Sequence, residues 1–167
     1  MRRIVFLLAL AAVVAALGAS TAAAAPARTA TLTSAENRWA VPVLNLTRYL
    51  AGRVGAVKTL AAKPTILQKG SAVQVKFVYV VADIRSCTAK LKKRGPAPTA
   101  RLVPFQLSVR DACARYVSAT HLLAQGIGKA TNGDMSGVTM IRKSTTEFQR
   151  GSALLSRAQA QLAALAK

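Results

Sequence analysis

Ile141, Phe148, Leu155 and Leu162 recur at seven-residue intervals near the end of the chain, flanked by Thr145, Ser152, Ala158 and Leu165. That spacing lines apolar side chains along one stripe of an α-helix, and a stripe of this kind has to be covered by other apolar surface. The requirement repeats upstream. Trp39, Val43, Leu46, Leu50, Val54 and Val57 follow one another at steps of three and four. Thr33 and Glu36 ahead of them stand in capping-box positions, where each side chain answers an unpaired N–H at a helix start. Pro42 falls early in this pattern and is expected to kink the first turns or to delay the start of the helix.

The stretch from Ser71 to Cys87 can be read two ways. Taken every second residue, Val73, Val75, Phe77, Tyr79 and Val81 alternate as in a half-buried strand. Taken at helical steps, Val73, Phe77, Val80, Ile84 and Cys87 form a seam. The seam extends further, with Ile66, Val73, Val80 and Cys87 in one seven-residue row and Phe77, Ile84 and Leu91 in the next. Thr65 and Gln68 offer a second capping box after the stop at Pro64. Against a helix stand Gly70, at a cost of about 1 kcal/mol inside one, and the β-favouring valines. Against a strand stands the lack of a turn between Val81 and Cys87. The strand would need a partner such as Val103, Phe105, Leu107 and Val109. The helix explains the longer segment, and the spacing predicts a helix here.

Cys87 and Cys113 are the two cysteines of the chain, and a disulfide between them is expected, contributing about 3–4 kcal/mol through loop closure. Bridged positions in an antiparallel helix pair lie at equal height, so the turn centres near Ala100. The connection is then residues 95–103, opened by Gly95, Pro96 and Pro98, with helix from about Pro104. Val109, Cys113, Tyr116, Thr120, Leu123 and Ile127 mark the third seam, with fraying expected at Gly126 and Gly128. Asn132, Gly133 and Asp134 form the next turn, with Asp134 as cap. The pattern predicts an all-α fold, an antiparallel up-down-up-down four-helix bundle.

The N-terminus carries Arg2 and Arg3, an uncharged run from Ile4 to Leu17, and small residues with Ala22 and Ala24 at signal-peptidase positions. This reads as a signal peptide over residues 1–24, a flexible lead-in over 25–32, and one domain over 33–167. An uncleaved anchor over Ile4 to Ala25 is the rival reading. The expected location is secreted or associated with the cell envelope. The alanine-rich leader and the arginine content suggest a GC-rich bacterium.

The chain has 24 Lys and Arg against 5 Asp and Glu, a formal charge of +19. Removal of Arg2 and Arg3 with the leader leaves +17. Such a surface attracts polyanions at long range. Lys90, Lys92, Lys93, Arg94 and Arg101 cluster around the second turn and are the candidate anion-binding residues, with Arg110 and Arg115 on the adjoining helix. The same cluster also suits a helix end, where cations complement free carbonyls. Nucleic acid is disfavoured as a partner because exposed aromatics for base stacking are few.

No catalytic, cofactor or metal constellation is legible. His121 is the single histidine, so a paired-histidine metal site is excluded. Glu36 and Asp134 are assigned as caps, which leaves Asp83, Asp111 and Glu147 without a spacing that suggests acid–base work. Asp111 is expected to pair with Arg115 on the next turn. The segment from Leu123 to Ala130 contains Gly128 and Lys129, yet lacks the first glycine and the final hydroxyl of a phosphate loop. The expectation is a non-enzymatic exported bundle that contacts anionic envelope polymers or membrane headgroups and needs no cofactor. The alternative is a module that takes a small ligand or a partner protein in an inter-helix groove. An enzyme would require a meeting in space, such as Asp83 and Asp111 beside His121.

Overall fold

A computed structural model describes residues 32–165; the expected signal peptide over residues 1–24, most of the expected lead-in over 25–32 and the last two residues lie outside the described residues. Four helical segments follow one another, with no strand among the described residues. The first is α1, Ser34–Ala61. The second is broken into α2, Ala72–Arg85, and α3, Cys87–Lys92. The third and fourth are α4, Val103–Thr131, and α5, Ser136–Leu165. Short 3₁₀ turns at Pro64–Leu67 and Ala100–Leu102 precede the second and third segments.

α1 begins where the capping box places it. The Thr33 hydroxyl accepts from the Glu36 amide at 3.3 Å, and the Glu36 carboxylate accepts from the Thr33 amide at 2.8 Å. Pro42 sits inside α1 and does not delay its start; the capped first turns precede it, and it removes one amide donor.

The disputed stretch is helical, but it starts later than the sequence suggests. Thr65 caps nothing: Pro64 opens a single 3₁₀ turn, and Gly70 then takes φ +75°, a conformation that ends regular helix. The true cap is Ser71, whose hydroxyl accepts from the Gln74 amide at 3.1 Å. A break follows at Ser86, whose hydroxyl bonds back to the Asp83 carbonyl at 2.6 Å.

The seams meet in one core containing Leu50, Ile66, Phe77, Ile84, Phe105, Tyr116, Phe148 and Leu162. Burying each large apolar side chain contributes about 1.5–3 kcal/mol. The Cys87–Cys113 disulfide lies inside that core, with Cα atoms 5.6 Å apart. It ties α3 to α4 across a connection that ends where α4 begins at Val103, with Pro104 in the first turn.

α4 and α5 form the most extensive contact of the fold and run antiparallel. Ser108 donates to Gln161 at 2.9 Å at one end, Tyr116 meets Ser152 at 3.2 Å further on, and Gly126 faces Gly137 near the turn. The expected fraying at Gly126 and Gly128 does not occur; α4 continues to Thr131. The reason is close packing. A Cβ on Gly126 would stand 2.7 Å from Ile141 Cγ1, and one on Gly137 would stand 2.5 Å from the Gly126 carbonyl oxygen. Gly151 likewise leaves room for the Tyr116 ring, which a Cβ would approach to 2.7 Å.

Gly128, by contrast, has open space around it. The Gly137→Ala variant is therefore expected to lose about 1–3 kcal/mol in urea unfolding, because the obstructing atoms are backbone. Gly128→Ala should be neutral or stabilise by up to about 1 kcal/mol. Equal effects at the two positions would show that α4 and α5 are not in backbone contact.

Candidate functional site

The basic residues around the second turn do not form one uniform patch. Lys92, Lys93 and Arg94 are exposed at the end of α3 and enter none of the ion pairs among the described residues. Lys90 lies with its ammonium 4.7 Å from the centre of the Tyr49 ring, and the Arg53 guanidinium approaches the same ring at 4.9 Å. Arg101 points elsewhere, onto Glu36.

Glu36 is buried at 1% exposure and is fully hydrogen-bonded. One oxygen accepts from the Thr99 hydroxyl at 2.6 Å and from Arg101 Nε at 2.7 Å. The other accepts from the Thr33 amide and from a second Arg101 nitrogen. The bidentate Arg101 contact, then the Thr99 hydroxyl and the Thr33 amide, hold this carboxyl far below the usual carboxylate range, against the opposing effect of burial. Sequence reasoning saw only the local half of this group, its capping role. Its long-range half pins the start of α1 to the connection ahead of α4. Trp39 and Gln106 brace the same connection by donating to the Gly95 carbonyl at 3.3 and 3.1 Å.

The other carboxylates are also engaged. Asp83 pairs with Arg53 of α1 at 3.1 Å. Asp134 accepts from Lys129 at 2.9 Å and from the Ser136 amide at 2.8 Å; these bonds and the Ser136 hydroxyl hold it down to about 2. The expected pair between Asp111 and Arg115 is absent. Asp111 pairs with its neighbour Arg110 at 3.0 Å, and Arg115 reaches across to Glu147 of α5 at 3.0 Å. Glu147 also takes Arg150 at 2.7 Å. Burial works to raise the Glu147 value, and hydrogen bonds from Arg115 and Arg150 overcome it and hold the carboxyl below its ordinary range.

A shallow open groove of about 370 Å³ runs along this last contact. Arg115, Ser118 and Leu122 of α4 form one wall; Lys143, Thr146, Glu147 and Arg150 of α5 form the other. Its cations and hydroxyls suit an anion better than an apolar ligand. The groove is not legible in the sequence because Asp111 stands one turn from Arg115 on the same helix, whereas its actual partner Glu147 is on α5.

Asp83, Asp111 and His121 do not converge. His121 is exposed beside Gln125 at 2.8 Å, and no group of three His, Cys, Asp or Glu among the described residues could hold a metal. Lys129 and Gly128 lie within α4 rather than on a loop. No helix among the described residues is long and apolar enough to cross a membrane. Comparison with known proteins gives no match, whether to a family model, a curated protein or a solved structure.

Glu36→Gln keeps an N3 residue able to complete the capping box but removes the charge facing Arg101. It is expected to lower the melting temperature at neutral pH. A depressed folded value means that the contribution is complete above the unfolded carboxylate value of roughly 4.3 and fades as pH falls through the folded one. The gap between the native protein and Glu36→Gln should therefore narrow steadily below about pH 4. A gap independent of pH in thermal melts would show that Glu36 acts through shape rather than charge.

Proposed function

We propose that the protein is an exported, non-enzymatic up-down-up-down four-helix bundle whose cationic surface contacts anionic polymers of the cell envelope or anionic membrane headgroups. The observation that carries this reading is the fate of the acids. All five carboxylates sit in ion pairs, which engage six of the twenty Lys and Arg among the described residues and leave fourteen outside those pairs. The positive excess is therefore not neutralised locally, and it is spread over every helical segment. Lys92, Lys93 and Arg94 present three adjacent cations at the end of α3, and Lys143 adds one to the groove beside Arg115 and Arg150.

Opposite running directions of neighbouring segments support the bundle. Trp39 meets Gly95 while Arg53 meets Asp83, so α1 and α2 run in opposite senses, as α4 and α5 do. The disulfide is compatible with export, since such bonds persist in oxidising compartments. The engagement of every acid also argues against acid–base catalysis by a carboxylate, since such a group must be available to gain and lose a proton near the working pH.

Retention on immobilised polyphosphate tests the charge directly. Binding at about 50 mM salt should weaken at least tenfold by about 200 mM, because neutralising several phosphates releases their counterions. Binding that is insensitive to salt, or no binding at low salt, contradicts the reading.

A further inference from the structure

The outer face of α2 is apolar and exposed among the described residues. Val75, Val78 and Tyr79 are 47%, 60% and 71% exposed, and they stand three and four residues apart, so they share one face. Ala72 and Ala82 extend that face and are exposed as well. The opposite face of the same helix carries the buried Phe77, Val80, Val81 and Ile84. A helix apolar on both sides is expected in an interior or against lipid, yet α2 has one side open.

Resting on the cationic reading above, we propose that this face docks on an anionic bilayer, seating Val75, Val78 and Tyr79 at the headgroup–acyl boundary with α2 lying in the plane of the membrane. Three observations favour that occupant. The face is bordered by exposed Lys76 and Arg85, placed to meet anionic headgroups while the apolar residues enter. The one acid on α2, Asp83, is paired with Arg53 and offers little repulsion. Tyr79 carries a polar tip on an apolar ring, the type of side chain enriched at membrane interfaces. With 14 residues, α2 extends about 21 Å, short of the roughly 30 Å hydrocarbon core, so it lies on the bilayer rather than through it. A second copy is a poor occupant, since two-fold pairing would bring Lys76 and Arg85 against a molecule of the same strong positive charge.

The test uses the protein recovered after export, its N-terminus read by mass spectrometry. Binding to vesicles of phosphatidylglycerol and phosphatidylcholine is compared with binding to soluble polyphosphate. Val78→Ser combined with Tyr79→Ser changes exposed positions only, and a cooperative thermal melt verifies its folding. The expected result is a loss of about tenfold or more in vesicle affinity (about 1.4 kcal/mol) with polyphosphate binding unchanged. Val78→Trp should shift its emission to the blue on vesicles and not on polyphosphate. Equal vesicle affinity of the native and double-serine proteins overturns the docking face, as does an unshifted tryptophan on bound vesicles. Concentration-dependent dimerisation abolished by the serine pair, or vesicle affinity replaced by capture of an acidic protein partner, overturns it in favour of that occupant. Polyphosphate binding without vesicle binding removes the membrane inference alone; absence of both removes the cationic reading beneath it.

Discussion

Five carboxylates face twenty-four basic residues in this chain, and where those five sit decides which cations are paired and what surface remains. Four of them span separate parts of the fold. Glu36 holds the start of α1 to Arg101, Asp83 holds α2 to Arg53 of α1, Glu147 holds α5 to Arg115 of α4, and Asp134 closes the turn onto Lys129. Exposed pairs contribute little stability, of order 0–1 kcal/mol each, so they follow the register that core packing sets. Stability comes from the shared apolar core, the buried disulfide and the backbone contact of Gly126 with Gly137. Among the described residues only Glu36 is both deeply buried and ionic, and it remains charged because Thr33, Thr99 and Arg101 all donate to it.

The helices were legible because their apolar spacing is long and regular. All six residues of the third seam, from Val109 to Ile127, are buried, as are Ile141, Phe148, Leu155 and Leu162 of the fourth. The cysteine pair, together with the stop at Gly95, Pro96 and Pro98, points to a connection near residues 95–103, and α4 begins at Val103. Boundaries set by backbone conformation were not legible: Thr65 and Ser71 are equally good caps on paper, and only the positive φ of Gly70 selects the second. Gly126 and Gly128 look alike in sequence, while in space one meets a neighbouring backbone and the other meets nothing. The groove is hidden in the sequence for the same reason, since Arg115 has an acid four residues away and takes a different one on α5.

The ambiguity of Ser71 to Cys87 has a physical origin. Alternation and helical spacing coexist there because α2 carries apolar side chains on two faces, and the structure buries Phe77 and Val81 while exposing Val75 and Tyr79. A segment whose hydrophobicity exceeds what its core contacts use is a segment with something left to cover. Together with uncompensated cations on the flanks of α2, that surplus gives the molecule an apolar ridge in a positive field, a combination suited to interfaces rather than to pockets.

An excess of like charge should destabilise the folded state through self-repulsion, and moderate salt should relieve it. Thermal unfolding at neutral pH, followed as sodium chloride rises from about 10 to 150 mM, reads that balance. If the five acids are committed to internal pairs and the remaining cations face one another across the surface, the melting temperature rises with salt. A melting temperature that falls over this range would mean that attractive pairs outweigh repulsion, and that the surface is not the uncompensated cation field described above.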